Sequence, residues 1–129
     1  MFRPRSEEHP EDESFPGLLL MRLEGRLFFM NMDNVRERVK VLVERERPTV
    51  VALDFRAVFD LEYTALKGLT EADEKLREGG VSLWMVGLNP GVLAMVQRSS
   101  LGGTLGSDRL LFNLEQAVAR YQAMSAGSA

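Results

Sequence analysis

The sequence predicts an α/β domain on a mixed, mostly parallel sheet, with elements in the order β-β-α-β-α-β-α-β-α. Three observations carry this expectation. From Thr49 onward, β-branched and apolar runs alternate with segments of helical periodicity. Near the N-terminus, two apolar runs are separated only by Glu24-Gly25, the spacing of a tight hairpin. The chain has 129 residues, 45% apolar and 27% charged, the size and balance of a single folded domain.

Residues 1–14 contain Pro4, Pro10 and a run of acids with almost nothing apolar, and they read as a polar linker or arm. The folded domain is expected over residues 15–124, with residues 125–129 a disordered tail. Residues 18–23 and 26–30 form the expected hairpin, pivoting on Gly25. Asn31 then suits the cap of a helix whose apolar positions are Met32, Val35, Val39, Leu42 and Val43, ended by Pro48. Residues 49–55 (TVVALDF) read as a strand buried on both faces.

A second helix is expected over residues 63–78, with Ala65, Leu69, Ala72 and Leu76 on its inner stripe. Lys67/Glu71 and Glu71/Lys75 are spaced to pair on its outer face. After Gly79-Gly80, residues 81–86 form a strand with Trp84 in the core. Asn89-Pro90 has the pattern of a cap and first helical position, with Val92, Leu93 and Val96 facing inward. The glycine-rich residues 102–107 read as a flexible connection to a short strand at 109–112. Asn113 and Gln116 form a capping-box pattern before a last helix striped by Leu114, Ala117, Val118 and Tyr121. The expected total is about five strands and four to five helices.

Composition excludes several function classes. The absence of cysteine removes disulfides, thiolate metal sites and a cysteine nucleophile. A net charge of −3, with basic residues interleaved among acids as in Arg36-Glu37-Arg38, leaves no basic field for nucleic acid. The longest apolar runs fall far short of the roughly 20 residues that cross a bilayer, so this segment is expected to be soluble. The single histidine, His9, lies in the arm, so no His-based triad or multi-His metal site is expected. Asp54, Asp60 and Glu62 cluster near the end of the third expected strand. They suit an acid/base pair or a divalent metal, but equally the shaping of a helix start, which is the preferred account. Residues 102–107 lack the Gly-Lys-Ser/Thr ending of a phosphate loop. No reaction and no cofactor are indicated, and an enzyme is not expected.

The segment Leu53-Asp54-Phe55-Arg56-Ala57-Val58-Phe59-Asp60-Leu61-Glu62-Tyr63-Thr64-Ala65-Leu66 resembles the signature of STAS domains. In that family a strand ends in Asp, and an acid, two hydroxyl residues and a small residue open the next helix. Asp54 matches the strand-end Asp. Glu62 stands for the usual acid, Tyr63 and Thr64 for the hydroxyl pair, and Ala65 for the usual Gly. The likeness extends through Val81-Ser82-Leu83-Trp84-Met85-Val86-Gly87-Leu88-Asn89 to residues 113–118.

The resemblance implies a regulatory and interaction module of the STAS (anti-sigma-factor antagonist-like) fold. The contact loop would be formed by Asp54, Asp60, Glu62, Tyr63, Thr64 and Ala65. Two branches of the family differ in their partners. Antagonists of anti-sigma factors are switched by phosphorylation of a serine in the hydroxyl pair, where this sequence has Tyr63. The other branch is the C-terminal cytoplasmic domain of SulP-type anion permeases for sulfate or related anions, which residues 15–20, 24–31, 60–66 and 82–90 resemble more closely. That branch implies contact with the membrane domain of its own transporter, the arm as tether, and a place on the cytoplasmic side of the bacterial inner membrane. Thr64 and Lys67 are then candidates for contact with an anion or a partner's acid, although Lys67 also suits a pair with Glu71. Nucleotide binding and a homodimer are further properties the family allows; no nucleic-acid partner is expected.

Overall fold

The computed structural model describes residues 15–27 and 29–127. The arm at residues 1–14, with His9, lies outside them. Four strands alternate with five helices: β1 Leu18–Leu27, α1 Phe29–Glu46, β2 Val50–Leu61, α2 Tyr63–Glu78, β3 Ser82–Val86, α3 Pro90–Gln97, α4 Ser100–Leu105, β4 Leu110–Leu111 and α5 Leu114–Gly127. All strand pairs are parallel, in the order β1-β2-β3-β4.

Because strand order follows chain order, right-handed crossovers place every connecting helix on the same face. Leu19, Met21, Leu23, Val51, Leu53, Phe55, Leu83 and Met85 accordingly pack against buried residues of α1 to α4, among them Met32, Val39, Ala65, Leu69, Val96, Leu101 and Leu105. Among the described residues, α5, following the last strand, is the helix that covers the other face. There Ala117 and Tyr121 meet Leu18, Val50, Ala52, Trp84, Val86 and Leu111. With one neighbour per face, β2 and β3 are apolar on both sides, which is why their residues read as continuous runs.

The expected hairpin does not form. Residues 18–27 are one strand running past Gly25, and α1 has begun by Phe29. The chain reverses earlier, at Pro16-Gly17, where Leu18 N donates to Phe15 O at 2.9 Å and Phe15 and Leu18 form an antiparallel bridge. Proline followed by a glycine at φ +86° suits the two central positions of a type II turn, which a glycine alone at position 25 does not. A parallel sheet of four strands among the described residues therefore replaces the mixed sheet of about five.

Other local expectations shift for identifiable reasons. Asn31 lies inside α1 instead of capping it, and its Nδ2 donates to Arg26 O at 2.8 Å. Residues 100–105 are a helix and not a flexible connection. Ser99 caps it by accepting from Gly102 N, and buried Leu101 and Leu105 anchor it, which outweighs the helix cost of two glycines. The last strand is trimmed to Leu110–Leu111, and α5 continues to Gly127, into the expected tail.

Several caps are as expected. Asn89 Oδ1 accepts from Val92 N at 2.9 Å ahead of Pro90. Asn113 Oδ1 accepts from Gln116 N at 2.8 Å, while Gln116 Oε1 accepts from Phe112 N, one residue before the position the capping box predicts. In α2 the bounds match expectation, and Ala65 and Leu69 are buried, with Ala72 and Leu76 only partly so. Neither expected lysine pair forms, because Arg36 Nη1 of α1 reaches Glu71 Oε1 at 2.9 Å.

Candidate interaction site

β3 pairs with β2 only from Val50 to Asp54, so residues 55–61 of β2 run on beyond the sheet with β1 as their sole strand neighbour. Over this extension the register slips twice. Arg22 pairs with Asp54 but Glu24 with Ala57, and Gly25 pairs with Val58 but Arg26 with Asp60. At each slip β2 carries one residue more than β1, a bulge that redirects the side chains around it.

The second slip leaves Phe59 without a cross-strand partner, and it stands 71% exposed. The bulge carbonyls of Val58 and Phe59 accept from Asn89 Nδ2 at 3.3 and 3.4 Å. One asparagine thus caps α3 and ties it to the bulge. The slip also sets Asp60 opposite Arg26, whose Nε lies 3.2 Å from Asp60 Oδ2 and whose Nη2 donates to Glu62 Oε2 at 2.6 Å.

Glu62 occupies the N-cap position of α2 with extended backbone, yet its side chain makes no capping bond, being held by Arg26. The first-turn N–H groups of α2 are left without a side-chain cap, next to two carboxylates that share one guanidinium. Tyr63 follows, 73% exposed, and Thr64 and Lys67 are exposed beside it, with no ion pair to Lys67 among the described residues. The surface formed by residues 59–64 therefore joins two outward aromatic rings to an acid pair that shares one guanidinium and to an exposed hydroxyl.

Two of the expected loop residues lie elsewhere. Asp54 is 3% exposed on the sheet face. Both its carboxylate oxygens accept from Arg56 Nε at 3.0 Å, Oδ2 also from Nη2 at 2.7 Å, and Oδ1 from Arg56 N at 3.0 Å. Those hydrogen bonds hold the Arg56 guanidinium more firmly protonated than usual, outweighing the opposing effect of burial. Asp54 is thus committed to Arg56 beside the first bulge. Ala65 is fully buried under the start of α2, where a small side chain packs against the core.

Sequence patterns missed three features. Arg26 looked like part of an apolar run; its role follows only from the bulged register. Phe59 fell between the expected strand at 49–55 and the second helix and was given no role. Asp73, 1% exposed in α2, accepts from Arg77 Nη2 at 2.8 Å and from Arg109 Nη1 at 3.1 Å. Arg109 continues to Thr104 O and Leu83 O, so one buried carboxylate joins α2, α4, β3 and the approach to β4. The only advance signal was an acid on the inner side of an amphipathic helix. Among the described residues, no group of three or more His, Cys, Asp or Glu side chains is arranged to hold a metal ion, and no helix is long and apolar enough to cross a membrane.

A four-stranded parallel sheet with five helices, in this order, is shared with STAS domains. Residues 9–119 match that family, and the chain belongs to it. Its curated relatives include the high affinity sulfate transporter 2 of Stylosanthes hamata, 24% identical over 125 residues and 89% of this chain. A probable sulfate transporter of Mycobacterium tuberculosis is 23% identical over 118 residues and 90% of this chain. The chain spans only 19% and 21% of these relatives. Among solved structures, a sulfate transporter family protein from Wolinella succinogenes superposes with a TM-score of 0.76 at 22% identity, covering 91% of this chain and 94% of that one. The unphosphorylated anti-sigma factor antagonist SpoIIAA superposes with a TM-score of 0.73 at 14% identity, covering 95% and 97%.

Proposed function

We propose that this chain is the regulatory and interaction domain of a SulP-type transporter of sulfate or a related anion, held on the cytoplasmic side of a bacterial inner membrane. It acts by protein contact through residues 59–64 and not by catalysis. The carrying observation is the exposed pair Phe59 and Tyr63 around the two acids held by Arg26. Exposed aromatics can anchor an interface at small entropic cost, and Arg26 offsets only one of the two acid charges, leaving one net negative charge beside the rings. The kinship with sulfate transporters along most of the chain supports the membrane domain as that partner. Thr64, Lys67 and the first-turn N–H groups of α2 would receive an acid from it. In the full-length transporter, a photo-crosslinking residue at position 59 or 63 should capture the membrane domain, and Thr64→Glu should alter transport. Crosslinks absent from both positions, with transport unchanged, would sink the proposal.

A second account has its own support: the chain matches a free-standing antagonist over nearly the full length of both. Thr64, exposed at the helix start, would then be the phosphorylated residue. Mass spectrometry after incubation with a cognate anti-sigma kinase decides it, since a chain carrying no phosphate on Thr64 is not a switched antagonist. Tyr63 at the first hydroxyl position weighs against this account, because a serine kinase does not accept a phenol there.

A further inference from the structure

Beyond Asp54, β2 has lost β3 as a neighbour, and on that side its polar main chain must find other partners. At the second bulge the partner is Asn89, the last residue of the short link from β3 to α3. Its Nδ2 donates to Val58 O at 3.3 Å and to Phe59 O at 3.4 Å. Asn89 is itself held firmly. Its Oδ1 accepts from Val92 N at 2.9 Å, and its main-chain O accepts from Leu93 N at 2.8 Å. Pro90 follows at the first helical position with its φ restricted, and Val92 and Val96 bury α3 in the core. On the strand side, Gly87 N donates to Leu111 O at 2.9 Å, and Leu88 packs against the core.

These bonds fix which way the amide points. Only its oxygen can accept from Val92 N, so the NH2 group is turned to the bulge, where two carbonyls require a donor. Capping α3 is a task that serine or aspartate performs as well as asparagine. Donating to the bulge at the same time is not, because aspartate has no hydrogen to give and the serine side chain is a bond shorter. Phe59 depends on this hold. Among the described residues it has no cross-strand partner, and its ring is 71% exposed, so neither register nor packing sets its direction. Val58 and Leu61 on either side are buried, and between these anchors Asn89 grips the main chain that carries the ring. An aromatic anchor binds best when its main chain is ordered before contact, since less freedom is then lost on binding.

We propose that Asn89 is a positioning residue for the contact surface: its amide fixes the second bulge and so aims the Phe59 ring that meets the partner. This rests on residues 59–64 being that surface, and adds that α3 and the surface move as a unit joined by one side chain.

Two variants separate the cap from the bulge. Asn89→Asp keeps the size of the side chain and the acceptor for Val92 N but turns an oxygen to the two carbonyls. Asn89→Ser keeps the cap with a side chain too short to reach them. In ¹⁵N relaxation of the chain, order parameters at Phe59 and Asp60 should fall from about 0.85 to about 0.6 or below in both variants, while Val92 and Leu93 stay rigid. In the full-length transporter, photo-crosslinking from position 59 to the membrane domain should be largely lost in both, and crosslinking from position 63 should be kept. Order at residues 59 and 60 unchanged from wild type in both variants overturns the role of Asn89, as does crosslinking from position 59 that survives in them. Loosening of Val92 as large as that of Phe59 overturns it too, since the residue would then serve α3 alone. A wild-type transporter crosslinked from neither position overturns the contact surface itself, whatever the relaxation data show of the grip on the bulge.

Discussion

Arg26 and Asp60 face one another across β1 and β2 because Phe59 has dropped out of the pairing between them. A regular register would place Phe59 opposite Arg26 and deny the guanidinium its reach to Asp60 and Glu62. The bulge thus both exposes an aromatic ring and brings a cation to the acids beside it, and the helix start that follows is shaped by a residue 36 positions upstream of Glu62.

Arg26→Ala should show how far this shaping depends on one side chain. All three partners are well exposed, so the global cost is small, about 0–1 kcal/mol by denaturant unfolding. Hydrogen exchange of the amides at residues 60–64 should nevertheless rise clearly, as both acids are released together. Exchange unchanged from wild type would show that the backbone alone holds the loop.

The buried carboxylate of Asp73 should matter more. Asp73→Ala leaves Arg109, itself mostly buried, without its counter-charge, and a loss of about 3–5 kcal/mol is expected in urea unfolding. In double-mutant cycles Arg109 should couple to Asp73 more strongly than the half-exposed Arg77 does. Equal couplings would mean that burial does not set the strength of this network.

Gly87→Ala tests the packing of Arg56 over the end of β3. Gly87 has φ +72°, and the added methyl would also meet Arg56 Cγ. A destabilisation of about 1–3 kcal/mol is expected from strain and collision together. Combining it with Arg56→Ala should recover the collision part only, so the double variant should cost less than the sum of the singles. Strict additivity in unfolding experiments would remove Arg56 from this account.

Tyr121→Phe removes the hydroxyl that donates to Pro16 O and leaves the ring in place. The expected cost is about 1 kcal/mol, seen as a lower urea midpoint at unchanged m-value. A fall in m would instead point to fraying of α5 from the sheet.

Much of the fold was legible because its signals are local. Helix α2 could be bounded from its stripe and from Gly79-Gly80, and α3 from Asn89-Pro90, since caps and periodicity act over a few residues. The hairpin was misread at Glu24-Gly25 because a glycine in a strand serves a bend as readily as a turn, while the two-residue turn signal stood at Pro16-Gly17. The glycines at 102 and 103 hid α4, whose stability comes from the burial of Leu101 and Leu105.

At the candidate site, the acids and hydroxyls near the end of β2 could be picked out by type, and Tyr63 and Thr64 do open α2 at the surface. Their partners could not. By itself the sequence determined the two-sided apolar strands, the start of α3 at Asn89-Pro90 and the helix that begins at Tyr63. Only the tertiary structure decided that Asp54 is consumed by Arg56, that Arg26 serves both Asp60 and Glu62, and that Asn89 ties α3 to the bulge. The physical reason is register. Strands 32 positions apart at Leu18 and Val50 slide until both faces are packed, and a slip of one residue, invisible in local pattern, chooses which charges meet.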